Sequence, residues 1–274
     1  MNIRNWFVSG AAGLGIALFV SPSPALADNA CAGLPSWSQL QAQLSSSIGP
    51  ANGGLGFNMW ATVVANDGTV CAVAFTGSAY TSQWLGSRVI SAQKANTAND
   101  FSLSKGVTPG FSLFPTGLAL STANLYSAVQ PGGSLFALPH SNPVDPAIAY
   151  QGNDNAFGSA HDPMVGSRVG GVNVFGGGLA LYTQGGVKVG AVGVSGDTSC
   201  TDHFVAWRLR NALNLDHLGQ LGVVPGADAA HPDNIIFDIT PNPSGGTGNS
   251  ASGFGHPTCV NTADPATLPP VRNP

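Results

Sequence analysis

The chain has 274 residues, a formal net charge of −4 and only 8% charged residues. All thirteen acids are aspartate, which excludes HExxH zinc proteases and glycosidases built on paired glutamates. The lack of any basic run argues against nucleic acid as a partner, and 37 glycines predict turns and close strand approaches rather than a helical bundle.

The first 27 residues read as a signal peptide. Arg4 gives a positive start, Gly10 to Val20 is a short apolar run, and Ala25-Leu26-Ala27 is an A-x-A cleavage site. That run is too short for an ordinary transmembrane helix, and no later segment replaces it. The expected product is an exported protein, periplasmic or extracellular, without a membrane span. It is divided into one domain over 28–240 and a Gly/Ser/Pro-rich tail over 241–274.

Leu34, Trp37, Leu40 and Leu44 recur at helical spacing and predict a helix over Leu34–Ser47. Two apolar, β-branched runs between Met59 and Phe75 flank Asn66-Asp67-Gly68, a hairpin signal. Ile90, Lys94, Ala98 and Phe101 fall on one stripe of a second helix. "TGLALSTANLYSAV" predicts a further helix, ended by Pro131-Gly132-Gly133, and "SLFALPH" a short strand. Asn142 to Arg168 has little periodicity and reads as a long surface excursion. Leu179–Val194 returns to strands around the turn Gln184-Gly185-Gly186. "CTDHFVAWRLRNAL" is the last strong helix, "NIIFDI" a possible small strand, and the rest is irregular. The order predicts an α+β domain with helices against an antiparallel sheet.

Four cysteines in an exported chain point to disulfides. Three pairings are possible. Cys31 with Cys71 is expected because the first helix must pack near the first hairpin. Cys200 with Cys259 would tie the tail to the last helix. There is no CxxCH for covalent haem attachment and no CxxC pair for zinc.

"GAVGVSGDTSCTDHFVAW" raises the question of a serine hydrolase. A nucleophile elbow needs glycine two before and two after the serine. Gly193 is in place, but Asp197 stands at the second position. Asp202 and His203 are neighbours on a helix, about 100° apart, and cannot form an ordered relay alone. Ser199-Cys200-Thr201-Asp202 fits a helix-capping box instead.

Several segments resemble the GlcG/HbpS-type haem-binding family, also called the haem-degrading domain. They are "SAQKANTANDF", "SAVQPGGSLFALPHSNP", "VFGGGLALY" and "GGVKVGAVGVSGDTSCTDH", in the family's order, and the likeness runs from about Pro35 to Leu215. It implies a profilin-like fold, a homo-oligomer and haem as ligand. The loop at 152–168 and the tail after Asn234 go beyond the shorter members, which commonly carry an acid where this chain has His203.

A haem site needs an apolar slot, an iron ligand and cationic partners for the propionates. His203 is the candidate metal ligand, with His140 and His161 as rivals. Lys94 and Arg88 are candidate propionate partners, with Thr97 one turn from Lys94. Gly176, Gly177 and Gly178 would allow close backbone approach. Three function classes follow: an exported haem-binding protein for scavenging, storage or sensing; a binding or sensory module for another small anionic ligand; and a haem-modifying enzyme or hydrolase.

Overall fold

A computed structural model describes residues 30–49 and 51–274. The expected signal peptide lies outside the described residues. Four strands form one antiparallel sheet: β1 (Trp60–Ala65), β2 (Val70–Phe75), β3 (Gly178–Thr183) and β4 (Val187–Ser195), in the order β2-β1-β4-β3. Both hairpins fall where the turn residues placed them, and Gly68 takes φ +83°, open to glycine without strain. The hairpins join through their centre, where Trp60 lies opposite Ser195 and Ala65 opposite Gly190.

Helices cover both faces. α1 (Trp37–Ser47) lies over β2 and beside the last helix, while α2 (Ser87–Asp100) crosses β1, β4 and β3. α3 (Leu138–Ser141) and α4 (Pro146–Ala149) are single turns, and α5 (Ser199–Ala212) covers β3 and β4 beside α1. Strand alternation divides the core accordingly. Ala61, Val63, Leu179, Leu181, Val192 and Val194 meet Leu40, Leu44, Phe204 and Val205. Trp60, Val64, Val73 and Ala191 meet Val89, Ala92, Ala95 and Ala98. Burial on both sides makes these strands apolar throughout, and the α+β expectation holds.

Gly193 sets the distance between α2 and the sheet. A Cβ there would lie 2.0 Å from the Ser91 carbonyl and 2.5 Å from the Ala95 nitrogen. Gly193→Ala is therefore expected to push α2 outward and cost about 1–3 kcal/mol, read as a lower urea midpoint. An unchanged midpoint would show that the helix moves freely.

The disulfides are those expected. Cys31 pairs with Cys71 at a Cα separation of 5.5 Å, and Cys200 with Cys259 at 6.0 Å.

Several local expectations need correction. α1 starts at Trp37, not Leu34, because Ser36 and Gln39 form a capping box there. The helix expected over "TGLALSTANLYSAV" is two 3₁₀ turns, Thr122–Leu125 and Ser127–Val129. Asn124 explains the first. Its side-chain oxygen takes the Ser121 N–H and hydroxyl, and its amide donates to the Asn234 carbonyl, so side-chain bonds compete with a helical ladder. "SLFALPH" forms the turn α3 rather than a strand, since Pro139 has no N–H to give a ladder.

The excursion over Asn142–Arg168 is partly interior. Met164 is buried, and Asp162 is buried against Arg88. Of "NIIFDI" only Ile239 enters a ladder, where Ile239–Thr240 pairs with Asn249–Ser250. Among the described residues, no helix is long and apolar enough to cross a membrane.

Candidate functional site

The site lies where α2, the start of α5 and the segment 175–178 meet. Thr198, not Ser199, caps α5, accepting the Thr201 N–H. Asp202 is then not a capping-box partner. Its Oδ1 accepts the Asp197 N–H at 3.0 Å, and its Oδ2 lies 2.7 Å from Lys94 Nζ. Lys94 and Asp202 form an ion pair 0% and 2% exposed, and Lys94 also donates to the Val194 carbonyl at 3.1 Å. The Phe175 ring lies 4.7 Å from the ammonium. Burial works against both charges: it lowers the Lys94 pKa, and it raises the Asp202 carboxyl to about 6 despite the lysine beside it.

Glycine lets the backbone pass between the helices. A Cβ on Gly176 would stand 2.3 Å from the Ser199 carbonyl and 3.0 Å from His203 Cβ. On Gly177, at φ +119°, it would stand 2.4 Å from the Val194 carbonyl and 3.0 Å from Lys94 Nζ. On Gly178 it would meet the Lys94 carbonyl at 2.4 Å. These glycines bring the predicted Lys94 and His203, together with Asp202, around one stretch of backbone.

His203 is fully buried. Its Nε2 lies 3.2 Å from Asn234 Oδ1 and accepts the Ile235 N–H at 3.1 Å, while Nδ1 has no hydrogen-bond partner among the described residues. The Ile235 N–H is shared between His203 Nε2 and Asn234 Oδ1, the latter at 2.8 Å. Burial and the nearby Arg210 charge lower the His203 pKa to about 3, so the ring is neutral, the form that binds metals.

Of the remaining predicted residues, Arg88 and Thr97 are engaged by the protein. Arg88 Nε and Nη2 donate to Asp162, Nη1 donates to the Ala149 carbonyl, and the guanidinium stacks on Phe157 at 3.8 Å. Thr97 Oγ1 donates to the Gln93 carbonyl and accepts the Asn173 N–H. His140 and His161 are exposed, on α3 and in the excursion.

Residues absent from the sequence-based grouping close the junction from the tail side. Asn234 and Ile235 hold His203. His256, 1% exposed, accepts the Gly176 N–H weakly at 3.4 Å. A cavity of about 420 Å³ lined by Tyr126, Gln130, Pro257 and Thr258 opens beside it, with the Tyr126 ring 5.0 Å from His256. The one signal for this closure was Cys259, whose bond to Cys200 draws the tail onto α5. On the same helix, Arg210 and Asp233 form a fully buried bidentate pair that the sequence reading did not single out.

Similar solved structures include the following two. The haem complex of PduOC is 20% identical with a TM-score of 0.41, covering 65% of this chain and 91% of that one. Klebsiella pneumoniae protein ORFY is 22% identical with a TM-score of 0.39, covering 65% and 90%. No curated protein matches the chain. A family model described as haem degrading protein HbpS-like matches residues 51–209, a span that contains β1 to β4, α2 and most of α5. The chain belongs to the HbpS-like haem degrading protein family.

Proposed function

We propose that this is an exported haem-binding protein whose iron ligand is His203. Membership of the family supports haem as the ligand class, and two disulfides fit an oxidising compartment. The observation that carries the assignment to His203 is its Nδ1, a nitrogen of a neutral, buried imidazole that no group among the described residues engages. The Gly176–Gly178 segment and the start of α5 form the wall beside it.

Lys94 is the cation for a propionate. Two of its three ammonium hydrogens go to Asp202 and Val194, and Nζ stands 3.0 Å from where a Cβ on Gly177 would lie, so the glycine leaves that approach uncovered. Arg88 and Thr97 take no direct part, since their polar atoms are committed. Haem reaches His203 only if the tail segments at Asn234–Ile235 and His256 shift, and the cavity beside Tyr126 is the side from which they can open. Haem binding, rather than turnover, is what the residues support. The homo-oligomer implied by the family likeness is part of the same proposal.

Hemin titration followed in the visible region tests this. The parent is expected to bind saturably, and His203→Ala to shift the Soret band or weaken binding at least about tenfold, roughly 1.4 kcal/mol. Saturable binding with the same spectrum in both proteins would remove His203 as ligand. No saturable binding by the parent would remove haem and favour another small anionic ligand.

A further inference from the structure

The two cysteines of the tail staple each stand three residues from a histidine: Cys200-Thr201-Asp202-His203 on α5 and His256-Pro257-Thr258-Cys259 in the tail. The candidate donor atoms of Cys200, His256 and Cys259 all lie within 4.8 Å of one another. We propose that reduction of the Cys200–Cys259 disulfide turns this cluster into a binding site for a thiophilic divalent cation of the zinc class, held by both sulfurs and His256 Nε2. This rests on residues other than the proposed haem ligand and stands independently of the haem reading.

His256 is set for the role. Its Nδ1 lies 2.7 Å from the Pro257 carbonyl oxygen, which can only accept, so Nδ1 carries the proton and Nε2 keeps its lone pair. A histidine that donates one ring N–H to a backbone carbonyl while the other nitrogen faces the cation is the usual arrangement at zinc. Among the described residues, the hydrogen-bond partner of Nε2 is the Gly176 N–H, a long contact at 3.4 Å.

The sulfurs are equally placed. Cys259 Sγ accepts the Cys200 N–H at 3.2 Å and lies 3.5 Å from Ser199 Oγ, at the start of a 14-residue helix. Backbone N–H groups at a helix start favour a thiolate over a thiol. Tetrahedral zinc with Zn–S bonds of about 2.3 Å sets two sulfurs about 3.8 Å apart. Cysteines whose Cα atoms are 6.0 Å apart reach that spacing by side-chain rotation. Three protein ligands leave a fourth position open.

The chemistry balances with an external dithiol as reductant. It gives two electrons to the S–S bond and becomes a disulfide itself, leaving two cysteine thiols. The cation then displaces one proton from each thiol and takes the His256 lone pair. The tail is thereby held on α5 by the cation instead of by the covalent bond.

The test uses a Cys31→Ser/Cys71→Ser variant, so that only the second pair is present, reduced under anaerobic conditions and titrated with Co²⁺. One equivalent is expected to produce the visible bands of tetrahedral cobalt and the near-ultraviolet band of cobalt–thiolate charge transfer, both bleached by Zn²⁺. The oxidised protein should show neither, and His256→Gln should weaken binding at least about tenfold. Absence of saturable bands in the reduced protein, or an unchanged affinity and spectrum in His256→Gln, overturns the site.

If the double serine variant does not fold by circular dichroism, the reduced parent is alkylated with and without Zn²⁺ and mapped by peptide mass. Protection of Cys200 and Cys259 but not of Cys31 and Cys71 is the expected result. Equal labelling of all four overturns the proposal. Hemin titration of the oxidised parent reads the haem assignment separately.

Discussion

Lys94→Met is expected to destabilise the protein by about 3–5 kcal/mol at pH 7.5, because Asp202 is left in the interior without its cation. Asp202→Asn should have a comparable effect, since it strands the ammonium. The double variant Lys94→Met/Asp202→Asn should recover a large part of the loss, because the cost lies in the unpaired charge rather than in the removal of a favourable bond.

The Asp202 carboxyl already titrates at about 6, so the loss in Lys94→Met should shrink at pH 5, where this group is protonated and neutral. Urea unfolding of the four proteins at both pH values measures this. Additive single effects, or single variants within about 1 kcal/mol of the parent, would show that the pair holds water or relaxes outward. The experiment also bears on the haem proposal, since a lysine whose removal unfolds the domain must be probed there by Lys94→Arg or by spectra rather than by affinity alone.

The second large effect is acid destabilisation. His203 and His256 have their pKa values lowered by burial from 6.5 to about 3 and about 4. Below pH 6.5 the unfolded chain takes up protons at these residues while the folded one does not, so stability falls as pH falls, by about 1.4 kcal/mol per pH unit for each. Asp202 acts in the opposite sense. Its pKa is raised from 3.8 to about 6, so between those values the folded state binds the extra proton and gains stability as pH falls.

The net expectation is a loss on the order of 4 kcal/mol between pH 6.5 and pH 4. Thermal melts across that range should show a falling midpoint, and His256→Gln should flatten the fall. A midpoint that holds steady or rises toward pH 4 would mean that the histidines reach water in the folded protein. Protonation would eject His203 and His256 from the closed junction, so acid is also a means of loosening the tail over the proposed haem ligand.

The sequence by itself determined the sheet and its helices. Asn66-Asp67-Gly68 and Gln184-Gly185-Gly186 mark chain reversals that are local properties of backbone sterics. The apolar runs beside them have nowhere to go but a buried sheet. The pairing expected among the three possible ones is also the one observed, because Cys31 precedes α1 and Cys200 opens α5, helices whose packing neighbours were already implied. The close approach that glycine allows and the start of the last helix put Lys94, Gly176–Gly178 and His203 together in the sequence reading, and the structure places these residues beside one another.

Tertiary structure decided what those residues face. Nothing local to Arg88 shows that Asp162, 74 positions away, uses up its guanidinium. Nothing local to Lys94 shows that Asp202, 108 positions on, pairs with it. Short polar segments were misread for the same reason: Asn124 bends "STANLYSAV" into 3₁₀ turns because its amide has a distant partner in the Asn234 carbonyl. The closure of His203 by Asn234, Ile235 and His256 depends on a tail with no periodic signal, placed by one covalent bond to Cys200. Periodicity reports which face of an element leaves water. The partner of a buried charge is fixed only when distant segments are brought into contact, since in the interior an unpaired charge has no solvent to satisfy it.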